Sequence, residues 1–129
     1  MTPQSQLQAR GPVVVVVDDD PAVRNSLQFS LELEGFEVRA YRSATELLAA
    51  ADFDHCDCFV IDQRMPAMSG MELIERLRQY KISTPAILII SQPNAAVYAR
   101  ASKAAVPIVE KPFLNNVLVD TIREACHHA

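Results

Sequence analysis

The chain has 129 residues and a formal net charge of −4, and 50% of its residues are hydrophobic. This length allows one domain that buries a large apolar core without disulfides or a structural metal. The acidic balance argues against nucleic acid as a direct partner, and no apolar run approaches the roughly 20 residues of a transmembrane helix, which argues against a membrane partner.

Three cysteines, an odd number, indicate a reducing compartment and hence a cytoplasmic protein. Cys56 and Cys58 lack the spacing of a zinc site, and Cys126 with His127 and His128 is better explained as a frayed chain end than as a metal site. We therefore assign the cysteines no chemistry from the sequence.

The first segments of the chain are a polar arm and an apolar strand. Residues 1–12 are polar, contain two prolines and a glycine, and lack periodicity, so we predict a flexible N-terminal arm ahead of one domain over residues 13–129. Val13–Val17 is a continuous β-branched run, which is typical of a central strand buried on both faces.

An acidic turn separates this strand from the first predicted helix. Asp18 and Asp19 follow the valines, Asp20 is a suitable N-cap, and Pro21 fits the first helical position. Gly35 is predicted to end the helix. The helix face directed at the sheet carries apolar residues at four-residue spacing: Val23, Leu27 and Leu31.

The middle of the chain repeats the strand and helix pattern twice. Residues 36–41 are predicted to form a strand, and Ser43 with Glu46 predicts a capping box for a short second helix. The apolar run 58–62 predicts a buried strand that ends at Asp62. A second capping box is predicted after it, followed by a helix with an apolar face; these residues are Ser69 and Glu72, then Met71, Ile74 and Leu77.

The last third contains two more strands. Residues 86–90 predict a strand that ends at Ser91, and residues 95–105 predict a short helix. Residues 107–109 predict an edge strand, because a leading proline has no N–H to donate to a sheet ladder. Lys111 follows within Glu-Lys-Pro-Phe, and a final helix is predicted from Leu114, Leu118 and Ile122.

Strands alternating with helices predict a doubly wound α/β domain with a parallel sheet and helices on both faces. The carboxyl ends of parallel strands share one edge, where ligands bind in such folds. We expect that edge to bring together Asp18, Asp19, Asp62, Ser91 and Lys111. Clustered carboxylates repel one another unless a cation is present, and Mg²⁺ is a hard cation that prefers such oxygen ligands.

The motifs at this edge resemble the receiver domain of two-component response regulators. They are Asp-Asp-Asp-Pro after the first strand, Asp-Gln-Arg-Met-Pro-Ala-Met-Ser-Gly after the third, Ser91 after the fourth and Glu-Lys-Pro-Phe after the fifth. The resemblance covers the chain from about Val13 to its C-terminus. It implies a flavodoxin-like fold with five strands in the order 2-1-3-4-5.

The resemblance also implies a role for each site residue. Asp62 would accept a phosphoryl group from a sensor histidine kinase or a phosphotransfer protein. Asp18, Asp19 and Asp62 would bind Mg²⁺ together with the backbone carbonyl of Arg64. Ser91 would bond a phosphoryl oxygen. Lys111 would pair with Asp62 at rest and with the phosphoryl group afterwards, and its peptide bond to Pro112 would be cis.

Four departures from the family pattern put conventional switching in doubt. Gln92 replaces the small residue that usually follows the hydroxyl position, and the connection to the fourth helix is short. Ala104-Ala105 stands where Gly-Ala is usual. Ile108 stands where the family often has an aromatic residue that rotates on phosphorylation.

The expected output is a protein contact, with a homodimer as one form of it. Phe29 and Leu33 lie on roughly the opposite side of the first helix from the sheet. Either the C-terminal helix or a loop covers them, or they form an apolar patch that docks a kinase.

Alternative functions are a Mg²⁺-dependent phosphohydrolase with an aspartyl intermediate, a flavodoxin-like cofactor binder, and a receiver fragment of a longer DNA-binding regulator rather than a stand-alone receiver. The hydrolase usually needs an acid two residues after its nucleophile, where this chain has Arg64. A cofactor-binding phosphate loop would need glycine or hydroxyl residues in place of the acidic turn.

Overall fold

The computed structural model describes residues 11–50, 55–113 and 116–128, with the side chains of residues 127 and 128 left out. Most of the predicted arm, and Leu114 of the predicted last helix, lie outside these ranges. The elements alternate in the order β1 (Val13–Val17), α1 (Pro21–Leu33), β2 (Glu37–Tyr41), α2 (Ala44–Ala50), β3 (Cys58–Asp62), α3 (Gly70–Gln79), β4 (Ala86–Ile90), α4 (Ala95–Lys103), β5 (Ile108–Glu110) and α5 (Val117–His128).

All five strands pair in parallel in the order β2-β1-β3-β4-β5, which confirms the predicted doubly wound, flavodoxin-like sheet. In this register Val17 is paired with Ile61, and Asp62 is paired with Ile89. The carboxyl ends of β1, β3 and β4 are therefore level, so that the residues following them meet at one edge. This edge forms the candidate site.

Alternate side chains of each central strand enter two separate apolar cores, one on each face of the sheet. One core contains Val15, Val17, Phe59 and Ile61 together with residues from α2, α3 and α4. The opposite core contains residues from β1, β3 and β4 packed with Leu27 and Leu31 of α1 and with Leu118 and Ile122 of α5. The burial of these strands on both faces explains why they read as continuous apolar runs.

Helix boundaries follow the predicted capping residues in α1 and α3. Asp20 accepts a hydrogen bond from Ala22 N, and Pro21 occupies the first turn of α1. Ser69 and Glu72 form both bonds of the capping box that starts α3. Gly35, with φ at 99°, lies just beyond the C-terminal end of α1, where a left-handed residue commonly stops a helix.

Three local predictions need adjustment. The predicted helix 95–105 ends at Lys103, because Ala105 has a left-handed φ of 58°. The edge strand runs over Ile108–Glu110 rather than 107–109. At α2, Glu46 N donates to Ser43 Oγ, but the Glu46 carboxylate accepts from Arg42 N, so the reciprocal bond of the predicted capping box is displaced by one residue.

Among residues 11–50, 55–113 and 116–128, no helix combines the length and apolar character required to cross a membrane.

Candidate functional site

Backbone hydrogen bonds hold the two buried acids at the ends of their strands. Asp18 follows β1 directly, and its N–H donates to the Tyr41 carbonyl at 3.1 Å. Asp62 is the last residue of β3, and the next N–H, that of Gln63, donates to the Ile89 carbonyl at 2.9 Å. The regular sheet ladder therefore fixes both carboxylates at adjacent strand ends.

Three acids come together at this edge, as the sequence predicted. Asp18, Asp19 and Asp62 each present a carboxylate oxygen, and these oxygens all lie within 4.8 Å of one another. Asp18 and Asp62 are only 2% and 5% exposed, whereas Asp19 is exposed. Two shielded carboxylates beside an open one leave a face from which a cation and its waters can enter.

Lys111 spans the two buried acids. Its Nζ lies 3.3 Å from Asp18 Oδ2 and 3.4 Å from Asp62 Oδ1. Its backbone N–H donates to the Ile90 carbonyl at 2.8 Å, which places the side chain at the end of the sheet. The Lys111–Pro112 peptide bond is cis, as the family resemblance implied. The predicted pairing with Asp62 is confirmed, and the equal pairing with Asp18 is an additional finding.

Burial and crowding shift the proton equilibria of the site. Desolvation, followed by repulsion from Asp18, raises the pKa of Asp62 from 3.8 to about 6, although Lys111 opposes this shift. Burial acts to lower the pKa of Lys111, but attraction to Asp62 and Asp18 outweighs it, so this pKa is raised. At neutral pH the Lys111 ammonium is therefore charged and lies between two carboxylates. The Asp62 carboxylate is ionised at this pH, although burial makes its ionisation unfavourable.

The donor set fits a hard divalent cation. Carboxylate oxygens are the preferred protein ligands of Mg²⁺, which usually takes one or two of them and keeps several waters. A cation among Asp18, Asp19 and Asp62 would offset the repulsion that raises the Asp62 pKa.

Arg24 is a site residue that the sequence analysis missed. Its guanidinium, on the first turn of α1, donates to the Asp18 backbone carbonyl at 2.8 Å. Asp18 Oδ1 also accepts from Asp20 N at 2.9 Å. These two bonds hold both ends of the acidic turn. An arginine one helical turn after the acids was the available signal, but it is equally typical of an exposed helix face.

The loop after Asp62 is held tightly against its strand. Gly70 N donates to the Gln63 carbonyl at 3.0 Å, and Met71 N donates to the Gln63 side-chain oxygen at 2.8 Å. A Cβ atom at position 70 would lie 2.4 Å from the Asp62 carbonyl oxygen, a distance that real side chains do not reach. Glycine is therefore required here by close packing, and it fixes the backbone that carries Asp62.

Ser91 and Arg64 follow β4 and β3 at the sheet edge that carries the acids. Both are exposed and line a cavity of 360 Å³ that also contacts Gln63 and Gln92. Asn94 closes the short connection by capping α4, since its side chain accepts from Ala96 N and Val97 N. Ser91 is thus exposed at this edge, whereas Asp18 and Asp62 are buried and Lys111 is partly buried.

A contact between α4 and β5 occurs near Ile108, the residue that departs from the family pattern. Ile108 is partly buried and packs against the core shared with α4. The Tyr98 hydroxyl of α4 donates a short hydrogen bond to the Glu110 carboxylate, which raises the pKa of Tyr98. Glu110 directly precedes Lys111, so this bond joins α4 to the strand that positions the site lysine.

Comparison with known proteins decides the family. The family model for the response regulator receiver domain matches residues 14–123. The chain belongs to this family. The acidic turn, Asp62, Ser91 and Lys111 all fall within the matched residues, so the receiver-domain resemblance deduced from the motifs is confirmed.

Relatives of the receiver domain include transcriptional regulators. The chain is 40% identical over 116 residues to the transcriptional regulatory protein FixJ of Rhizobium meliloti, covering 89% of the chain and 57% of FixJ. It is 34% identical over 113 residues to the C4-dicarboxylate transport transcriptional regulatory protein DctD of Pseudomonas aeruginosa, covering 87% of the chain and 24% of DctD. The chain thus spans only part of the length of these relatives.

Solved structures share the fold. The crystal structure of FixJ-N superposes with a TM-score of 0.83 at 38% identity, covering 93% of the chain and 97% of that structure. The response regulator StyR gives a TM-score of 0.84 at 36% identity, covering 91% of the chain and 60% of StyR.

Receiver domains are generally not enzymes, and they interact with histidine kinases and phosphotransfer proteins.

Proposed function

We propose that Asp62 is the phosphoacceptor of this receiver domain and takes a phosphoryl group from a phosphohistidine of a sensor kinase or phosphotransfer protein. The observation that supports this most directly is the placement of Asp62. Its carboxylate is nearly buried at the end of β3, 3.4 Å from the Lys111 ammonium and beside two further acids. Asp18 shares the strand-end position, the cation and the acidic cluster, but both of its carboxylate oxygens are already engaged, Oδ1 by Asp20 N and Oδ2 by Lys111.

The transfer step replaces one bond at phosphorus by another. An Asp62 oxygen attacks in line, the bond from phosphorus to the donor nitrogen breaks, and the donor histidine keeps the electron pair. Lys111 neutralises charge on the phosphoryl oxygens and is already held in place, so little reorganisation is needed. The Ser91 hydroxyl supplies a hydrogen bond to one phosphoryl oxygen.

Asp18, Asp19 and Asp62 would hold Mg²⁺, together with the Arg64 backbone carbonyl. When bound, the ion supplies charge neutralisation at the phosphoryl oxygens. The ionised Asp62 needs no general base, so the same site also accepts a phosphoryl group from small phosphodonors. In dephosphorylation, water attacks the phosphorus, the bond to the Asp62 oxygen breaks, and inorganic phosphate leaves the free carboxylate. These last two activities are the only catalysis that we propose for the domain.

The partners proposed here follow from two surfaces. Phe29 and Leu33 on α1 are 66% and 72% exposed, so neither α5 nor a described loop covers them. We assign this apolar patch to docking of the phosphodonor protein, which would act in the cytoplasm. The face formed by residues 95–109 is assigned to a homodimer or an effector protein, without direct contact to nucleic acid.

Mass spectrometry after incubation with acetyl phosphate and Mg²⁺ tests the phosphoacceptor. The wild-type chain should gain the mass of one phosphoryl group, and Asp62→Asn should gain none. Asp20→Asn is the matched control, because asparagine preserves the N-cap and Asp20 lies outside the acidic cluster. The control should be labelled like the wild type. Full labelling of Asp62→Asn would refute the assignment.

Lys111→Ala separates transfer from response. The variant should remain folded and still accept some label, but the label should no longer change the conformation, because the ammonium that senses the phosphoryl group is missing. Chemical-shift changes equal to those of the labelled wild type would contradict this role.

A further inference from the structure

Two thiols meet between β3 and α5, far from the acidic edge. Cys58 begins β3 and is fully buried in the core that α1 and α5 cover. Cys126, from α5, packs against the same core, and its Sγ lies 3.9 Å from the Asp57 carbonyl, in the peptide unit that precedes Cys58. Cys58 Sγ lies 3.6 Å from the Phe59 carbonyl, so both thiols lie against the first residues of β3.

Only one of these thiols is accessible to solvent. Cys126 is partly exposed and lines an open cavity of 390 Å³ together with Pro12, Phe36 and Arg123. Arg123 holds α5 in place here, since its guanidinium donates to the Glu34 carbonyl at 3.1 Å. A small oxidant can therefore reach Cys126 without local unfolding, whereas Cys58 is fully buried.

The two thiols also differ in acidity. Interaction with Cys58 lowers the pKa of Cys126, whereas interaction with Cys126, together with burial, raises the pKa of Cys58. The accessible thiol is thus the more nucleophilic at neutral pH, and thiolates are the form that oxidants attack. Cys58 lies next to it as a second thiol that can close a disulfide.

We propose that Cys126 and Cys58 form an oxidisable dithiol, a modification site that reacts with hydroperoxides. The Cys126 thiolate attacks one peroxide oxygen, the O–O bond breaks, and Cys126 becomes a sulfenic acid while hydroxide leaves. The Cys58 sulfur then attacks the Cys126 sulfur, and a second hydroxide leaves as water after taking up the Cys58 proton. In sum, two thiols and one hydrogen peroxide give one disulfide and two waters.

The disulfide would join the end of α5 to the start of β3, the strand that carries Asp62 at its other end. A covalent link between residues this distant in sequence restricts the unfolded chain, so the oxidised domain should melt at a higher temperature than the reduced one. This inference concerns the chain's own thiols and does not depend on phosphorylation.

Peptide mapping after hydrogen peroxide treatment tests the proposal. The folded protein is oxidised without a phosphodonor, free thiols are alkylated, and the digest is searched for a peptide linking Cys58 to Cys126. Cys56→Ser is the matched control, because Cys56 packs against the opposite core and burial raises its pKa to about 11. The cross-link should form in the wild type and in Cys56→Ser, with an increase in melting temperature that dithiothreitol reverses.

Two further variants keep the test decisive. Cys126→Ser should abolish the cross-link and leave Cys58 reduced, since the accessible thiol is gone. Cys58→Ala should leave Cys126 to accumulate sulfinic acid, because no second thiol closes the disulfide. Sulfinic acid on Cys126 of the wild type at the rate seen in Cys58→Ala would overturn the proposal, as would a cross-link that involves Cys56.

Discussion

Replacing Asp62 by asparagine should make the metal-free domain more stable, although it removes the proposed phosphoacceptor. The site raises the pKa of Asp62 from 3.8 to about 6, a change of about 2 units. Each unit corresponds to about 1.4 kcal/mol, so ionised Asp62 costs the folded state about 3 kcal/mol at neutral pH. Asparagine removes this cost while keeping the shape of the side chain.

The sign of the pH dependence follows from proton binding. Between pH 3.8 and about 6 the folded state binds more protons at Asp62 than the unfolded state does, so the stability due to this group falls as pH rises. The advantage of Asp62→Asn should therefore be about 3 kcal/mol at pH 7.5 and about half of that at pH 5.

Urea unfolding in the presence of EDTA, at both pH values, measures the two free energies of unfolding. Asp20→Asn serves as control and should change stability by less than about 0.5 kcal/mol at either pH, because Asp20 is exposed and its cap is preserved. A destabilised Asp62→Asn, or a gain of equal size at both pH values, would refute the electrostatic reasoning.

Four further predictions concern metal, docking, switching and strain. Mg²⁺ should raise the melting temperature of the wild type, and Asp19→Asn should lose most of this effect because one ligand is missing. Phe29→Ala should receive phosphate more slowly from the cognate kinase, whereas Tyr80→Ala, an exposed aromatic elsewhere, should not. A beryllofluoride phosphoryl mimic should change NMR shifts mainly in residues 91–95, because Ile108 has no ring to rotate. The free energy that couples phosphorylation to partner binding should then be modest, about 1–2 kcal/mol. Ala105→Gly should stabilise the domain by about 1 kcal/mol, since its φ of 58° is left-handed.

Each of these predictions has a clear opposite outcome. Melting that is indifferent to millimolar Mg²⁺ would count against the metal site, and wild-type transfer to Phe29→Ala would exclude the docking role. Large shift changes throughout α4 and α5 would show that Ile108 does not restrict the switch. Destabilisation by Ala105→Gly would mean that the backbone there is not strained.

The acidic edge could be predicted from the sequence because its residues follow recognisable local patterns. The valine run before Asp18 and the apolar run before Asp62 define buried strands, and parallel strands place their ends together. Asp20, Pro21 and the Ser69 capping box mark helix starts by local hydrogen bonding. The predicted C-terminal boundary of α4 was wrong because backbone geometry determines it. Ala105 has a positive φ, which no composition rule predicts for alanine.

Contacts between distant elements were beyond sequence reasoning. The bond from Arg24 to the Asp18 carbonyl, the Tyr98–Glu110 bond and the Cys58–Cys126 pair all depend on how helices pack on the sheet. Each of these residues has an ordinary surface or core explanation in the sequence. Lys111 shows the same limit in part, because its motif predicted one carboxylate partner and the packed structure provides two.

The sheet separates the surfaces proposed for input and output. Helix α1, with Phe29 exposed on it, packs on one face of the sheet, whereas α4 packs on the other face. A phosphodonor docked on α1 would therefore leave α4 unobstructed. The two proposed surfaces therefore lie on different helices at opposite faces, so binding of one partner does not by itself occupy the surface of the other.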